Sequence, residues 1–256
     1  MYNALSDDAV AVSTPHMRNS GSSHGPANRR TSPLQKCKVL AHLTPEQLVH
    51  LEGHGRIRDY AAKSPIYLPH EPANEVFVLF DGLAKVSHLT KDGKESILAF
   101  IEPGDLFGER AVFHVGSREE YVEAIEPVRA ILFPVEVLRR LVESRGDIAL
   151  SLMQLMSDRR HRIENRLKNI LFLSNRERLV HLLLELSEQF GVQHPDGIRL
   201  RIKLSHQELA NLIGSTRETV TVLLGQLKAE GLVAGGRQRI IVKDESKLRA
   251  EIEAGS

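Results

Sequence analysis

Residues 204–233 read LSHQELANLIGSTRETVTVLLGQLKAEGLV, two short helical patterns separated by one glycine. Ser205-His206-Gln207-Glu208 has the form of a capping box, in which the serine hydroxyl and a glutamate three residues on satisfy N–H groups that a helix start leaves open. Leu209, Leu212 and Ile213 give that helix an apolar side, and Gly214 stops it where a sharp turn is needed. Ser215-Thr216-Arg217-Glu218 reads as a second capping box. Two helices joined so tightly are the pattern of a helix-turn-helix, whose second helix enters the DNA major groove.

At 100° per residue the second helix has two sides. Val220, Leu223, Leu224 and Leu227 fall on one, and Arg217, Glu218, Thr221, Val222 and Gly225 fall on the other. The second side is the one expected to meet DNA. Arg217 suits a bidentate contact to guanine and Glu218 an acceptor contact from cytosine. Downstream, strands at 232–234 and 239–242 joined at Gly235-Gly236 form a wing that would bring Arg237 and Arg239 to phosphates, positioning the domain without reading sequence. Ser205, Gln207, Ser215, Thr216 and Thr221 complete the candidate DNA contacts. The whole chain carries a formal charge of only +1, yet 197–243 holds eight Lys and Arg residues against three Glu, a local footprint for a polyanion.

Upstream of the motif, 175–190 has helical spacing with Asn175 as cap and Gly191 as stop, a loop at 192–197 follows, and 198–204 alternates as a strand. The stretch 148–171 is longer than an ordinary helix. Within it Leu152, Met156, Ile163, Leu167 and Ile170 recur at three- and four-residue steps or their sums, a narrow stripe that fits a dimer seam, with Arg160, Arg162 and Arg166 placed opposite. From 57 to 134 the pattern changes to short β-rich runs at 76–80, 83–88, 96–100, 121–125 and 130–133, punctuated by Asp81-Gly82, Asp92-Gly93 and Pro103-Gly104. Brief connections between many short strands imply an antiparallel sandwich or jelly roll. Thr44, Pro45 and Gln47 start a short helix ahead of it, and 135–142 is helical after it. The first 32 residues are rich in Ser, Asn, Gly, Pro and His without apolar periodicity. They read as a solvated arm, with contact of Arg29 and Arg30 to DNA as the alternative.

The 256 residues, 41% hydrophobic and 26% charged, describe a folded globular chain with room for two cores. No run approaches the length of a membrane span and the acidic start lacks the order of a secretory signal, so a cytoplasmic protein without membrane contact is expected. The single cysteine, Cys37, forms no internal disulfide and cannot supply the four thiolates of an iron–sulfur cluster. His50 and His54, four apart, with His88, His114 and Cys37 elsewhere, make no dense ligand set, so no metal site is assigned. No catalytic residue is assigned either, because no phosphate-binding glycine loop, metalloprotease motif or nucleophile elbow is present.

The stretch 204–233 resembles the winged helix-turn-helix of the cyclic-AMP receptor / fumarate-nitrate regulator family, and PGDLFGERAVF at 103–113 resembles the phosphate-cassette region of cyclic-nucleotide-binding β-rolls. The resemblance covers roughly 34–245. It implies an α+β chain with an arm at 1–33, a double-stranded β-helix (jelly-roll, cyclic-nucleotide-binding-like) sensor domain at 34–144, a long dimerisation helix at 145–173 and a winged helix-turn-helix domain at 174–256. It also implies a homodimer on near-palindromic double-stranded DNA working with RNA polymerase. Arg217 and Glu218 carry over as the base-reading pair and Thr216 as a phosphate contact, but Val222 stands where family members commonly place a second arginine. Members that bind cyclic AMP use a Gly-Glu pair, an Arg-Ser pair and a Thr-Ser pair. Here these positions hold Gly108-Glu109, Glu119-Glu120 and Ile163-Glu164. Two carboxylates beside a phosphate repel it, so cyclic AMP is not the expected effector. Gly108, Glu109, Arg118, Arg159 and Ile163 remain as a pocket for a small-molecule effector of unspecified chemistry, with no cofactor established. The alternatives are a cyclic-nucleotide-gated or metal- or haem-gated member of the same family, or a ligand-binding module without DNA binding.

Overall fold

Strands whose side chains are apolar at every position, rather than at every second one, should be buried on both faces. The central strands behave this way in the computed structural model, which describes residues 32–114, 116–236 and 238–254. Arg29, Arg30 and Arg237 therefore lie outside the described residues. After two short 3₁₀ turns, Pro33–Lys36 and Lys38–Leu40, the chain forms α1 (Pro45–Glu52), capped by Thr44 and Gln47 as expected. Eight strands follow: β1 (Arg56–Tyr60), β2 (Pro65–Tyr67), β3 (Glu75–Asp81), β4 (Ala84–Leu89), β5 (Glu95–Ile101), β6 (Leu106–Phe107), then, after α2 (Arg110–Phe113), β7 (Tyr121–Ala124) and β8 (Val128–Pro134).

They form two antiparallel four-stranded sheets, ordered β1-β8-β3-β6 and β2-β7-β4-β5. Phe77 and Leu79 of β3, with Ala130 and Leu132 of β8, point between the sheets onto Tyr67, Ile101, Phe107 and Val122. Their neighbours Val76, Val78, Ile131 and Phe133 point the other way, onto Leu40, Leu51, Leu138, Ile148 and Leu152 of the flanking helices. Gly82 makes the β3–β4 turn possible: its φ is +87° and a Cβ there would stand 2.1 Å from the Pro127 carbonyl oxygen.

Two helices leave the roll, α3 (Val135–Ser144) and the 27-residue α4 (Gly146–Phe172), which at 1.5 Å per residue spans about 40 Å. Leu152, expected in the seam, has no exposed surface because it packs into its own roll beside Ile148. Ile170, 38% exposed, has its Cδ1 3.3 Å from where a Cβ on Gly214 would stand, so it leans on its own C-terminal half. The open apolar residues instead include Met153, Ile163 and Leu167, 63%, 46% and 54% exposed, with Met156 half-buried between them. Steps of three and four from Met153 pass through Met156, Arg160, Ile163 and Leu167, so Arg160 lies on this stripe rather than opposite it.

Past α4 come α5 (Asn175–Phe190), β9 (Gly191–His194), β10 (Gly197–Leu200), α6 (His206–Ile213), α7 (Arg217–Ala229), β11 (Val233–Ala234), β12 (Ile241–Val242) and α8 (Glu245–Ala254). The cap of α5 is Ser174, boxed with Glu177, and not Asn175. The expected loop at 192–197 is largely strand, since β9 pairs antiparallel with β10 in a sheet ordered β11-β12-β10-β9. The strand expected to run to 204 ends at Leu200. The C-terminal core, including Leu183, Phe190, Leu209, Leu212, Val220 and Leu224, is continuous with Leu83, Ile97 and Phe100 of the roll.

Candidate nucleic-acid interface and effector pocket

The α6–α7 pair begins with the expected box. Ser205 Oγ accepts from the Glu208 N–H at 3.2 Å, and the Glu208 carboxylate accepts from the Ser205 N–H at 2.7 Å. Gly214 takes the left-handed conformation, φ +65° and ψ +43°, that ends α6 and turns the chain. The second start differs by one residue: Thr216 is the cap, accepting from the Thr219 N–H at 3.2 Å, so no reciprocal bond from Glu218 closes a box at Ser215. Ser215 is held through its backbone, its N–H donating to the Ala210 carbonyl at 3.0 Å.

Burial of Val220, Leu224 and Leu227 fixes the rotation of α7 and leaves Arg217, Glu218, Thr221, Val222 and Gly225 exposed along the opposite side. Arg239 is exposed on the β11–β12 wing, and Lys228 lies in the last turn of α7. Gln207 is exposed at the start of α6, its amide donating to Asn211 Oδ1 at 2.8 Å.

Sequence reasoning passed over His206. Its Nδ1 stands 2.8 Å from Thr221 Oγ1, tying the start of α6 to the middle of α7. Partial burial, with Lys228 and Arg217 nearby, pushes the His206 pKa below the usual histidine value, so the neutral ring is favoured. Arg178 was also missed. Its guanidinium donates to the carbonyls of Ile170 at 2.7 Å, Leu173 at 2.9 Å and Ile213 at 3.4 Å, holding the end of α4 against the helix-turn-helix. Nothing in the periodicity singles out either residue, because each acts across an element boundary, His206 on Thr221 of the next helix and Arg178 on carbonyls of the preceding helix and of Ile213.

A second feature lies in the roll. A cavity of about 320 Å³ is lined by Tyr67, Leu98, Gly108, Glu109, Arg159 and Ile163, among others. Glu109 and Arg159 form a largely buried ion pair at 2.6 Å, and Arg159 also donates to the Leu106 carbonyl at 2.8 Å. Four of the five expected pocket residues are thus brought together. Arg118 is not: it is buried behind the wall, stacked 4.4 Å over the Tyr67 ring and donating to the backbone carbonyls of Gly108 and Glu75. Gly108 is required there, since its φ is +74° and a Cβ would meet the Arg118 Nη1 at 2.8 Å. Glu119 and Glu120, at the expected phosphate position, are both paired to Arg110, at 2.7 and 2.8 Å.

His50 and His54 meet ring edge to ring face, centroids 4.9 Å apart, and no set of three or more His, Cys, Asp or Glu suited to a metal occurs among the described residues. Cys37 is buried, which pushes its thiol up to about 11. No helix among the described residues is long and apolar enough to cross a membrane.

Comparison with known proteins bears on both features. Residues 57–145 match the cyclic nucleotide-binding domain family, and residues 177–251 match the Crp-like helix-turn-helix domain family. The global nitrogen regulator of Synechococcus elongatus is 33% identical over 190 residues, spanning 73% of this chain and 85% of that protein. A CRP-like cAMP-activated global transcriptional regulator of Mycobacterium tuberculosis is 26% identical over 215 residues, 84% of this chain and 96% of that one. Among solved structures, a CRP/FNR-family transcriptional regulator from Thermus thermophilus superposes with a TM-score of 0.63 at 27% identity, covering 78% of this chain and all of that one.

Proposed function

Since the chain belongs to the CRP/FNR family of transcription regulators, we propose that it acts as a cytoplasmic homodimer reading a near-palindromic duplex site, where it meets RNA polymerase. The observation that carries this reading is the exposed side of α7, where Arg217 and Glu218 stand open at the helix start, with no side-chain hydrogen bond or ion pair to either among the described residues. Arg217 takes guanine and Glu218 takes cytosine by their donor and acceptor patterns. Thr216, Ser205, Gln207, Ser215 and Arg239 position the backbone, a role that the sequence assigns to Arg237 as well. The dimer is supported by the apolar stripe of Met153, Met156, Ile163 and Leu167, which would otherwise face water along a helix about 40 Å long. The family's members are transcription regulators, and enzymatic activity forms no part of this reading.

The cavity beside Glu109 and Arg159 is the natural seat for an effector, acting by stabilising one arrangement of α4 and the C-terminal half over another. The Mycobacterium relative is described as cAMP-activated, but cyclic AMP is not the effector we assign here. Arg118 is committed to carbonyls, and Arg110 is already paired with both Glu119 and Glu120, one cation against two carboxylates, which leaves the phosphate position net negative.

Enrichment of duplexes from a random library by the full-length protein, at near-physiological salt, tests the function. An inverted repeat is the expected product. Retention of all sequences alike, falling steeply with salt, would mean that only phosphates are contacted and would overturn the assignment of Arg217 and Glu218.

A further inference from the structure

Thr221 sits between Arg217 and Glu218 on the exposed side of α7, yet its hydroxyl is engaged twice within the protein. Oγ1 donates to the Arg217 carbonyl oxygen at 2.8 Å and stands 2.8 Å from His206 Nδ1. A hydroxyl has one hydrogen, and with both neighbours in place none is left to donate to a base. A hydroxyl bonded to the carbonyl four residues back also lies against its own helix, which leaves the γ-methyl as the outward group. Val222, next in the chain, is 60% exposed. Gly225, one turn beyond Thr221, adds no side chain, and a Cβ there would meet nothing within 4 Å. The side that carries the charged ends of Arg217 and Glu218 therefore has two apolar groups beside them, the Thr221 methyl and the Val222 isopropyl. A single exposed valine elsewhere on a surface would need no explanation. Here it shares a face with base-reading side chains, and the apolar feature of a major groove is the C5-methyl of thymine.

We propose that Thr221 and Val222 are specificity-determining residues that read thymine methyl groups. This inference rests on the DNA-reading function proposed above and adds a base to the half-site. Residues four apart on a helix face have Cβ atoms about 5–6 Å apart, and base steps are spaced about 3.4 Å. Val222, four residues after Glu218, thus meets a thymine one to two steps from the pair that Glu218 contacts. His206 is a positioning residue, since it holds the Thr221 hydroxyl inward.

The test uses an enriched duplex in which each thymine is replaced singly by deoxyuridine, removing the methyl while keeping the base pair. The Glu218 position is located independently as the pair whose selectivity relaxes in Glu218→Ala. Loss of one buried methyl group should weaken binding about fourfold. That loss is expected at a thymine within two steps of the Glu218 pair, and it should vanish in Val222→Ala or Thr221→Ser. Both side chains are exposed, so both variants should melt with the parent. Uracil replacements that are all neutral, or a penalty that persists unchanged in both variants, would overturn the inference while leaving DNA reading intact. Failure to enrich any duplex would overturn both.

Discussion

Arg217 and Arg239 carry the same charge and are assigned different work, which makes them separable. Arg217→Ala should cost about 1–3 kcal/mol on an enriched site and relax selectivity at one base pair. Arg239→Ala should weaken all duplexes nearly uniformly and reduce the salt slope by about one. Competition binding against scrambled DNA measures both, and equal effects of the two substitutions would remove Arg217 from the base-reading role. Arg118 supplies a contrast. Its guanidinium satisfies the Gly108 and Glu75 carbonyls from inside the roll, so Arg118→Ala should lower the melting temperature of the ligand-free protein, at a cost of roughly 1–3 kcal/mol for each acceptor left bare. Cyclic AMP at millimolar concentration should leave the melting temperature of the parent unchanged, because a ligand that does not bind the native state cannot stabilise it. At this scale the sequence was informative where function rests on local spacing, as for Arg217 three residues after Gly214. It gave no sign of His206 or Arg178, and it placed Arg118 in the pocket rather than behind its wall, because the Glu75 carbonyl that Arg118 serves lies 43 residues away.

Helix α4 shows what periodicity alone can mistake. Leu152 and Met153 are adjacent in sequence and 100° apart on the helix, and only the position of the roll decides which faces inward. The structure buries Leu152 and leaves Met153 open. Leu152→Ala should therefore cost about 2–5 kcal/mol in denaturant unfolding. Leu167→Asp should leave the fold intact and shift the protein to monomer in analytical ultracentrifugation. A Leu167→Asp protein that remained dimeric would place the seam elsewhere. The long roll strands and both helices of the motif were legible because tight turns and caps bracket them. Strand β9 was not, since its pairing with β10 is set across a tight turn with little apolar alternation to announce it. Helix α8 was hidden for a related reason: its anchor is the buried Leu248 in an otherwise charge-rich stretch.

Across the whole described molecule, the roll and the C-terminal half share an interface. Phe100 meets Phe190 edge to face at 5.5 Å, and Glu102 accepts from Gln189 at 2.8 Å and from Arg201. Glu95 accepts from Asn211 of α6 at 3.0 Å while pairing with the buried Lys85 at 2.8 Å. Burial raises the Glu95 carboxyl, but bonds from Lys85, Ser87 and Asn211 outweigh it and hold it below the usual glutamate range. A carboxyl depressed in the folded state contributes stability above its unfolded pKa, near 4.3 in model peptides, and loses it as pH falls through the folded value. As pH falls below that unfolded value the contact should therefore loosen. Limited proteolysis of the 172–175 junction should then rise more in the parent than in Glu95→Gln, and identical acid profiles would show that Glu95 does not hold the halves together. None of these pairings was legible, because they join segments up to 116 residues apart.

Whether a two-fold pair of α7 helices reads DNA is decided by binding to duplexes in which the spacing between the two selected half-sites is changed one base pair at a time. Two recognition helices held by one α4 seam should sit one helical turn apart, about 34 Å. A sharp affinity maximum is expected at a single spacing, with steep losses when one base pair is added or removed. Affinity that stays flat across spacings, or equals that of an isolated half-site, would contradict it.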